Sequence, residues 1–481
     1  MSAGAVRVGL ALLTIPLLIR LMGVNEYGLW TLASAIVGLV ALAEAGLSTA
    51  TTVFVSQDLA KQDAEELSQT LTITFGAMLI LATLSVTALW VNAEVIVNLF
   101  PKLEPMQRVT ISQALQLGGI VVWARLLQQI LVGIEQAYQQ YGLLNLLNTL
   151  QWILMSLGFF AVAWGGGRTV NLMQWQAIAT SVGLVSHSWV VWTLLQRSNL
   201  HLAWTQKKGI AVLKYSLMTW LTSLGGAFFL RGDRVIVGAL LGSSALGVYA
   251  AITDVTGAIN FFSALPVQPL LPTLSNFIAN PKNDRKELQQ QIKQAIEVSV
   301  LIALVMGTTL FTLAPLIMHM MISTSVKTEE ILAFRIATTI YALYSINVVG
   351  YYVLFAVNEV KKSMVIHLFS GTFSLLLVSV GASNFSLIGA VAGNIGFLGT
   401  WLLIIFGMKS LSIRGSIWFK WLSFPLGCFL SFTLIGFAIG DQFNLVLCLG
   451  ILQIALLMKW FIDAQPEGIN LLTQHLKARR N

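Results

Sequence analysis

Five arginines stand inside long runs of apolar residues: Arg20, Arg125, Arg231, Arg234 and Arg335. A charged side chain at the centre of a membrane-spanning helix costs about 2.5–3.5 kcal/mol to insert, so several of them imply a polar cavity or ion-pair partners. The densest group is Arg231-Gly232-Asp233-Arg234. A spacing of three puts both guanidinium groups on one helical face, whereas Asp233 points about 100° away from Arg234. One carboxylate does not neutralise two arginines, and guanidinium suits phosphate oxygens through planar, bidentate hydrogen bonds. Arg231, Arg234, Arg125 and Arg20 are therefore the candidate substrate-binding residues. A competing reading is that Arg20, Arg231 and Arg234, near helix ends, reach up to lipid headgroups. Arg335, close to the outer end of its segment, fits that role or an ion pair.

The intramembrane acids are fewer. Glu44, Asp233 and Asp254 could each carry a driving proton or bind sodium, or they could be structural partners of the arginines. His187 could relay a proton, although a hydrogen-bonded packing histidine is the simpler role. Covalent chemistry has no candidate: the sequence holds no glycine loop with its lysine to cradle a phosphate, and no Cys or His pair at metal-ligand spacing. The expectation is a protein that is not an enzyme, with no catalytic residue, metal site or cofactor, and with a proton or sodium gradient as its candidate driving force.

These residues have to be positioned by helices in a bilayer. Of 481 residues, 56% are hydrophobic and 10% charged, against roughly 25% charged in a soluble domain. The apolar runs are continuous rather than alternating, which excludes a membrane β-barrel. A run of about 20 apolar residues crosses the hydrocarbon core, and fourteen such segments fit between residues 4 and 463. The fold class is an all-α polytopic membrane protein. The net charge of +8 does not indicate nucleic acid, because basic residues collect in alternate short loops. Lys61, Lys207, Lys208, Lys361, Lys362 and Lys409 lie on one side, and Lys102, Arg108, Arg168 and Lys327 on the other. By the positive-inside rule both termini are cytoplasmic. Cys428 and Cys448 fall in the last two segments and imply no disulfide or metal framework.

A repeat organises the segments. Gly23 and Gly28 recur as Gly242 and Gly247 at an offset of 219 residues, which continues through Gly38 with Gly257 and Ser56 with Ser275. Six helices separate the copies, and an even number restores orientation, so the halves form a parallel pseudo-two-fold repeat. Residues 1–195 are expected to form one six-helix bundle, 196–210 a cytoplasmic linker and 211–408 the second bundle. Residues 409–463 add two peripheral helices, and 464–481 an amphipathic tail on the inner leaflet. Segment 92–110 reads as an interfacial amphipathic stretch.

Three stretches carry a family likeness: PLLIRLMGVNEYGLW from residue 16, ALAEAGLSTATTVFVSQ from residue 41, and DRVIVGALLGSSALGVY from residue 233. They resemble the Wzx or O-antigen type of polysaccharide flippase, in the multidrug, oligosaccharidyl-lipid and polysaccharide exporter superfamily. The resemblance covers most of the chain and is sharpest around the first, second, seventh and eighth segments. It implies movement of undecaprenyl-diphosphate-linked oligosaccharide, an O-antigen or exopolysaccharide repeat unit, from the inner to the outer leaflet of the bacterial plasma membrane. It also implies two bundles facing a central cavity, lined by the first and seventh helices. Asp233 and Arg234 match the family's charged pair, and Glu44 stands where members carry an acid before a glycine. The segment ahead of the first helix is shorter than the family's cytoplasmic lead-in.

The resulting expectation is alternating access through a cationic cavity, in a monomer whose partners are a lipid-linked glycan, membrane lipids and glycan polymerase machinery. Two alternatives remain open. A cation-coupled multidrug exporter of the same fold predicts acids and aromatics in the cavity rather than surplus arginine. A membrane polysaccharide-synthesis enzyme predicts a large polar outer loop, whereas the longest outer connection is about 20 residues.

Overall fold

The computed structural model describes residues 2–44, 46–196, 200–268, 270, 274, 285–322 and 326–464. Among these residues all regular structure is helical. The helices are α1 (Ser2–Met22), α2 (Val24–Val40), α3 (Leu47–Lys61), α4 (Ala64–Val91), α5 (Ala93–Asn98), α6 (Pro105–Ala137), α7 (Tyr141–Trp164), α8 (Thr169–Leu195) and α9 (Gln206–Leu241). They continue as α10 (Ser243–Ala264), α11 (Arg285–Thr312), α12 (Ala314–Met321), α13 (Thr328–Tyr344), α14 (Val348–Ala356), α15 (Val360–Gly393), α16 (Trp401–Ser410), α17 (Gly415–Ile439) and α18 (Phe443–Ala464). The predicted tail beyond residue 464, residues 197–199 of the predicted linker and Ser275 lie outside the described residues.

Eleven stretches of the described residues are long and apolar enough to cross a membrane, against the fourteen segments expected. The difference lies in three places. α1 contributes only the shorter apolar stretch Leu13–Met22, α9 is not among the eleven, and Val360–Ser410 counts once. Inside that last stretch Phe385 and Ser386 leave helical geometry (φ −129°, ψ 19° and φ 54°, ψ −137°), so a turn falls where two segments were expected to meet. Three expected segments are interrupted by 3-10 helix, at Ala41–Glu44, Ser345–Asn347 and Asn394–Thr400.

The chain divides into two compact units. The first comprises Met1–Ala251, Met321–Ser323 and Val378–Leu387; the second comprises Ile252–Met320, Thr324–Leu377 and Ile388–Asn481. In the first unit α6 is the central helix and packs against α2, α3, α4, α7 and α8, while α1 lies on α7 and α9 runs along α2, α3 and α4. The expected amphipathic stretch after α4 is a short helix, with Ala93, Val97, Phe100 and Leu103 buried and Glu94, Val95 and Leu99 exposed. In the second unit α11 buries Ile292, Ile296, Val300 and Leu304 at a spacing of four residues. That stripe is the core-facing side of an amphipathic helix, and Phe429 of α17 and Leu457 of α18 belong to the same core.

The repeat is visible at residue level inside the first unit. Gly23, between α1 and α2, and Gly242, between α9 and α10, both have φ +86°, a left-handed backbone that side chains with a Cβ disfavour. The two turns also interlock reciprocally. A Cβ on Gly28 would overlap the Ser243 carbonyl, and a Cβ on Gly247 would overlap the Val24 carbonyl. Because Val24 corresponds to Ser243 and Gly28 to Gly247 under the repeat, the two contacts are the same contact made twice. The Ser243 hydroxyl also donates to Asn25 Oδ1.

Candidate functional site

The site is built around the interruption between α2 and α3. α-Helical pairing gives way to a single 3-10 turn across Ala41–Glu44, which leaves carbonyls open to other donors. α9 supplies them: the Trp220 indole Nε1 donates to the Leu42 carbonyl at 2.7 Å, and the Thr219 hydroxyl lies 3.4 Å from the Gly46 carbonyl. Gly46 has φ +72° and faces the Ser216 carbonyl so closely that a Cβ there would overlap it. The break therefore needs glycine on conformational and steric grounds at once.

Glu44 sits in this break, half-buried, within electrostatic reach of Arg125 on α6 but without an ion pair to it. Arg125 is crowded by protein yet keeps much of its surface accessible. It lies twelve residues before the end of α6, about 18 Å along the helix. An arginine this far inside a span can hold or exchange an anion, because the low-dielectric surroundings strengthen its field.

The other candidates are distributed along α9 and its neighbours. Arg231 is half-buried, donates from Nη1 to the Ser34 carbonyl at 3.2 Å, and covers Gly38 of α2, where a Cβ would overlap the guanidinium. Asp233 is buried, accepts from the Tyr249 hydroxyl of α10 at 2.8 Å, and accepts the Arg234 backbone N–H at 2.8 Å. Arg234 is half-buried, and Arg20 is exposed in the last turn of α1. Asp254 is half-buried and belongs to the second unit. The structure thus joins Asp233 to Tyr249 by a hydrogen bond and places Glu44 within electrostatic reach of Arg125. Arg231 meets α2 at a separate level, eleven residues or about 16 Å along α9 from Trp220.

Arg335 is buried in the second unit rather than aimed at headgroups. Its Nη1 donates to the Gly440 carbonyl at 2.7 Å, its guanidinium lies 5.3 Å from the centre of the Phe311 ring, and Asp441 is 3.9 Å away. It caps the C-terminal end of α17, where the helix dipole favours a cation.

Sequence reasoning singled out His187 but not its partner, and it missed a second cluster altogether. His187 of α8 meets Glu135 of α6 at 2.8 Å, both fully buried. Glu135 stands in GIEQAYQQYG, which reads as a helix end sliding into a loop. Lys208, at the start of α9, pairs with buried Asp58 of α3 at 2.7 Å and with Glu66 of α4 at 3.3 Å, and Lys61 joins Glu66 at 2.9 Å. Lys61 and Lys208 had registered only as markers of orientation, and Asp58 and Glu66 had not registered at all.

A family model described as polysaccharide biosynthesis protein matches residues 1–278. The chain belongs to that family. Sequence comparison with curated proteins gives no match. Among solved structures, "Lipid II flippase MurJ, inward closed conformation" aligns with a TM-score of 0.75 at 14% identity, over 96% of this chain and 98% of that one. An inward-facing multidrug resistance MATE family transporter of the MOP superfamily aligns with a TM-score of 0.67 at 15% identity, covering 85% of this chain and 98% of that one. The outward-facing conformation of a MATE family transporter gives 0.53 at 14% identity, over 84% and 95%. The chain shares the fold of these solved structures, and its eleven apolar helical stretches make it a multi-pass membrane protein.

Proposed function

We propose that the protein is a flippase that carries undecaprenyl-diphosphate-linked oligosaccharide from the inner to the outer leaflet of the bacterial plasma membrane by alternating access. The observation that carries this reading is Arg125, an arginine deep in a span with Glu44 of the helix break in its electrostatic neighbourhood. Its phosphate-binding edge suits a diphosphate, and Arg231, Arg234 and Arg20 supply further cationic positions for the anionic group and glycan along the path. Family membership supports a glycan-related cargo, and the likeness in fold supports translocation. Asp233, Asp254 and Glu44 act as ion-pair or hydrogen-bonding partners that keep the arginines placed. In this mechanism the bundles of residues 1–195 and 211–408 rock about the cargo while its lipid tail stays in the bilayer, in a monomer with both termini cytoplasmic. The product would be handed to a glycan polymerase.

The experiment is outer-leaflet appearance of the lipid-linked oligosaccharide, normalised to membrane-inserted protein. Arg125→Ala and Arg234→Ala should lose most of the transport, and the lysine variants should keep part of it, since lysine retains the charge but not the bidentate fork. Wild-type transport by the alanine variants of Arg125, Arg231 and Arg234 would sink the cationic path. Export of cationic drugs without any lipid-linked glycan transport would replace this reading with that of a multidrug exporter.

A further inference from the structure

We propose that Glu135 and His187 form a proton-binding site between α6 and α8, which holds one proton while the first unit is packed and releases it when water reaches the pair. The proposal rests on the transport reading above and names its coupling ion. His187 Nδ1 lies 2.8 Å from Glu135 Oε1, and the two side chains are 1% and 0% exposed. The remaining polar atoms, Glu135 Oε2 and His187 Nε2, are buried with no hydrogen-bond partner among the described residues. Apolar side chains of the same volume would fill this space without stranding two polar atoms, so packing stability does not account for the pair.

The surroundings are neutral. One turn before His187, Gly183 is covered by the Gln151 amide of α7, which is itself bonded to Gln128 of α6 at 2.8 Å. Two residues before Glu135, Gly133 packs against the Ser48 carbonyl, Thr51 and Thr52 of α3, and Thr52 donates to Gln136 at 3.2 Å. The charged groups on the packed elements are engaged elsewhere or exposed. Arg125 has Glu44 within electrostatic reach; Glu26 of α2 pairs with Arg168; Asp58 and Lys61 of α3 and Glu66 of α4 belong to the Lys208 cluster. Glu65 of α4 meets His201, and Glu94 of α5 is exposed. α7 carries no charged residue, and α8 has His187 alone among titratable groups.

The proton count follows. A carboxylate beside a neutral imidazole would leave one uncompensated negative charge in a buried site. Adding one proton gives either a carboxylate with an imidazolium, or a carboxylic acid with a neutral imidazole. Both are net neutral and both keep the bond between Nδ1 and Oε1. On hydration the proton leaves to water and the carboxylate is solvated. Motion that opens the α6–α8 contact is thereby tied to proton release.

Two measurements test this on the full-length chain. In the first, purified protein is titrated while isotope-edited infrared spectra follow carboxyl and imidazole bands. At neutral pH the wild-type pair should hold one proton and Glu135→Gln none, while His187→Gln keeps a protonated carboxyl; an ionised carboxylate beside a neutral imidazole in wild type overturns the proposal. In the second, protein in vesicles is given a pH gradient and lipid-linked oligosaccharide. Wild-type flipping should depend on the gradient, while Glu135→Gln, inserted at a normal level, should flip without that dependence. Gradient-independent flipping by wild type overturns the proton site and leaves the flippase standing. Absence of any wild-type flipping overturns the flippase reading, and the titration then decides the proton site by itself. If a glutamine variant fails to insert, His187→Asn and the wild-type gradient arm carry the decision.

Discussion

Each unit contains a helix break closed by a tryptophan. In the first, Trp220 Nε1 donates to the Leu42 carbonyl at 2.7 Å; in the second, Trp401 Nε1 donates to the Leu343 carbonyl at 2.9 Å. The chemistry beside the two indoles differs. The first break holds Glu44 within electrostatic reach of Arg125, whereas the second, at Ser345–Asn347, holds a buried hydrogen bond from the Asn347 amide to Thr400 Oγ1, with Phe397 edge-on to Tyr341 and tilted against Tyr344. An interrupted membrane helix is thus used in two ways. Sealed and neutral, it is a joint between helix segments; charged and accessible, it is a place for a ligand.

The comparison can be broken by substitution. The largest effect is expected at Arg125→Ala, which should cut transport about 10- to 100-fold, the equivalent of losing a charge-assisted hydrogen bond. Thermal unfolding in detergent should change little, since the arginine is accessible. If unfolding instead falls steeply and transport per folded molecule is normal, the first break is as structural as the second. Next is Gly46→Ala, which combines φ +72° with overlap of the Ser216 carbonyl and should destabilise by about 1–3 kcal/mol. Asn347→Ala and Thr400→Val strand the partner polar group in the second break and should each cost about 1–3 kcal/mol, with transport per folded molecule retained. Loss of transport at normal stability would assign the second break a ligand role too. Trp220→Phe and Trp401→Phe remove matched hydrogen bonds worth about 1 kcal/mol each, and only the first should also alter transport.

The smallest effect belongs to a control outside both breaks. The Lys362 ammonium at 2.6 Å, with the Ser410 hydroxyl, holds the Glu359 carboxyl below its ordinary range. A depressed carboxylate adds stability above its unfolded pKa and loses it as pH falls through the folded value. Glu359→Gln should therefore lower stability slightly near neutrality, within the small range of an exposed ion pair, and the difference from wild type should disappear as pH falls below the carboxyl's depressed range. A large effect at neutral pH would show that detergent unfolding does not discriminate surface pairs from breaks.

Much of this was readable before any coordinates. Continuous apolar runs fixed the membrane class, and Gly23 with Gly242 marked the repeat, because positive φ selects glycine in any context. Helix breaks were not readable: Leu42 and Leu343 carbonyls are capped by residues far away in sequence, and no proline marks either site. For the same reason Arg125 could be suspected but not paired, since its neighbour Glu44 lies on another helix. Asp233 was read as one carboxylate too few for Arg231 and Arg234, and its bond from the Tyr249 hydroxyl, which comes from the next helix, was not foreseen. Glu135 was overlooked because a lone acid near a helix end looks solvated; burial depends on α8, which periodicity cannot place.

The reciprocal contact between the Gly28 and Gly247 turns has the form of an isologous interface, in which one patch meets its own equivalent. A chain of half this length that dimerised with parallel subunits would have used one turn for both sides of that interface. Any side chain at its single glycine would then have clashed twice, once in each copy. After fusion the two positions can vary separately, yet each still faces a backbone carbonyl of the other turn. Replacing either glycine alone removes half of the contact and the symmetry with it. The two single variants should thus behave alike, as descendants of one ancestral position.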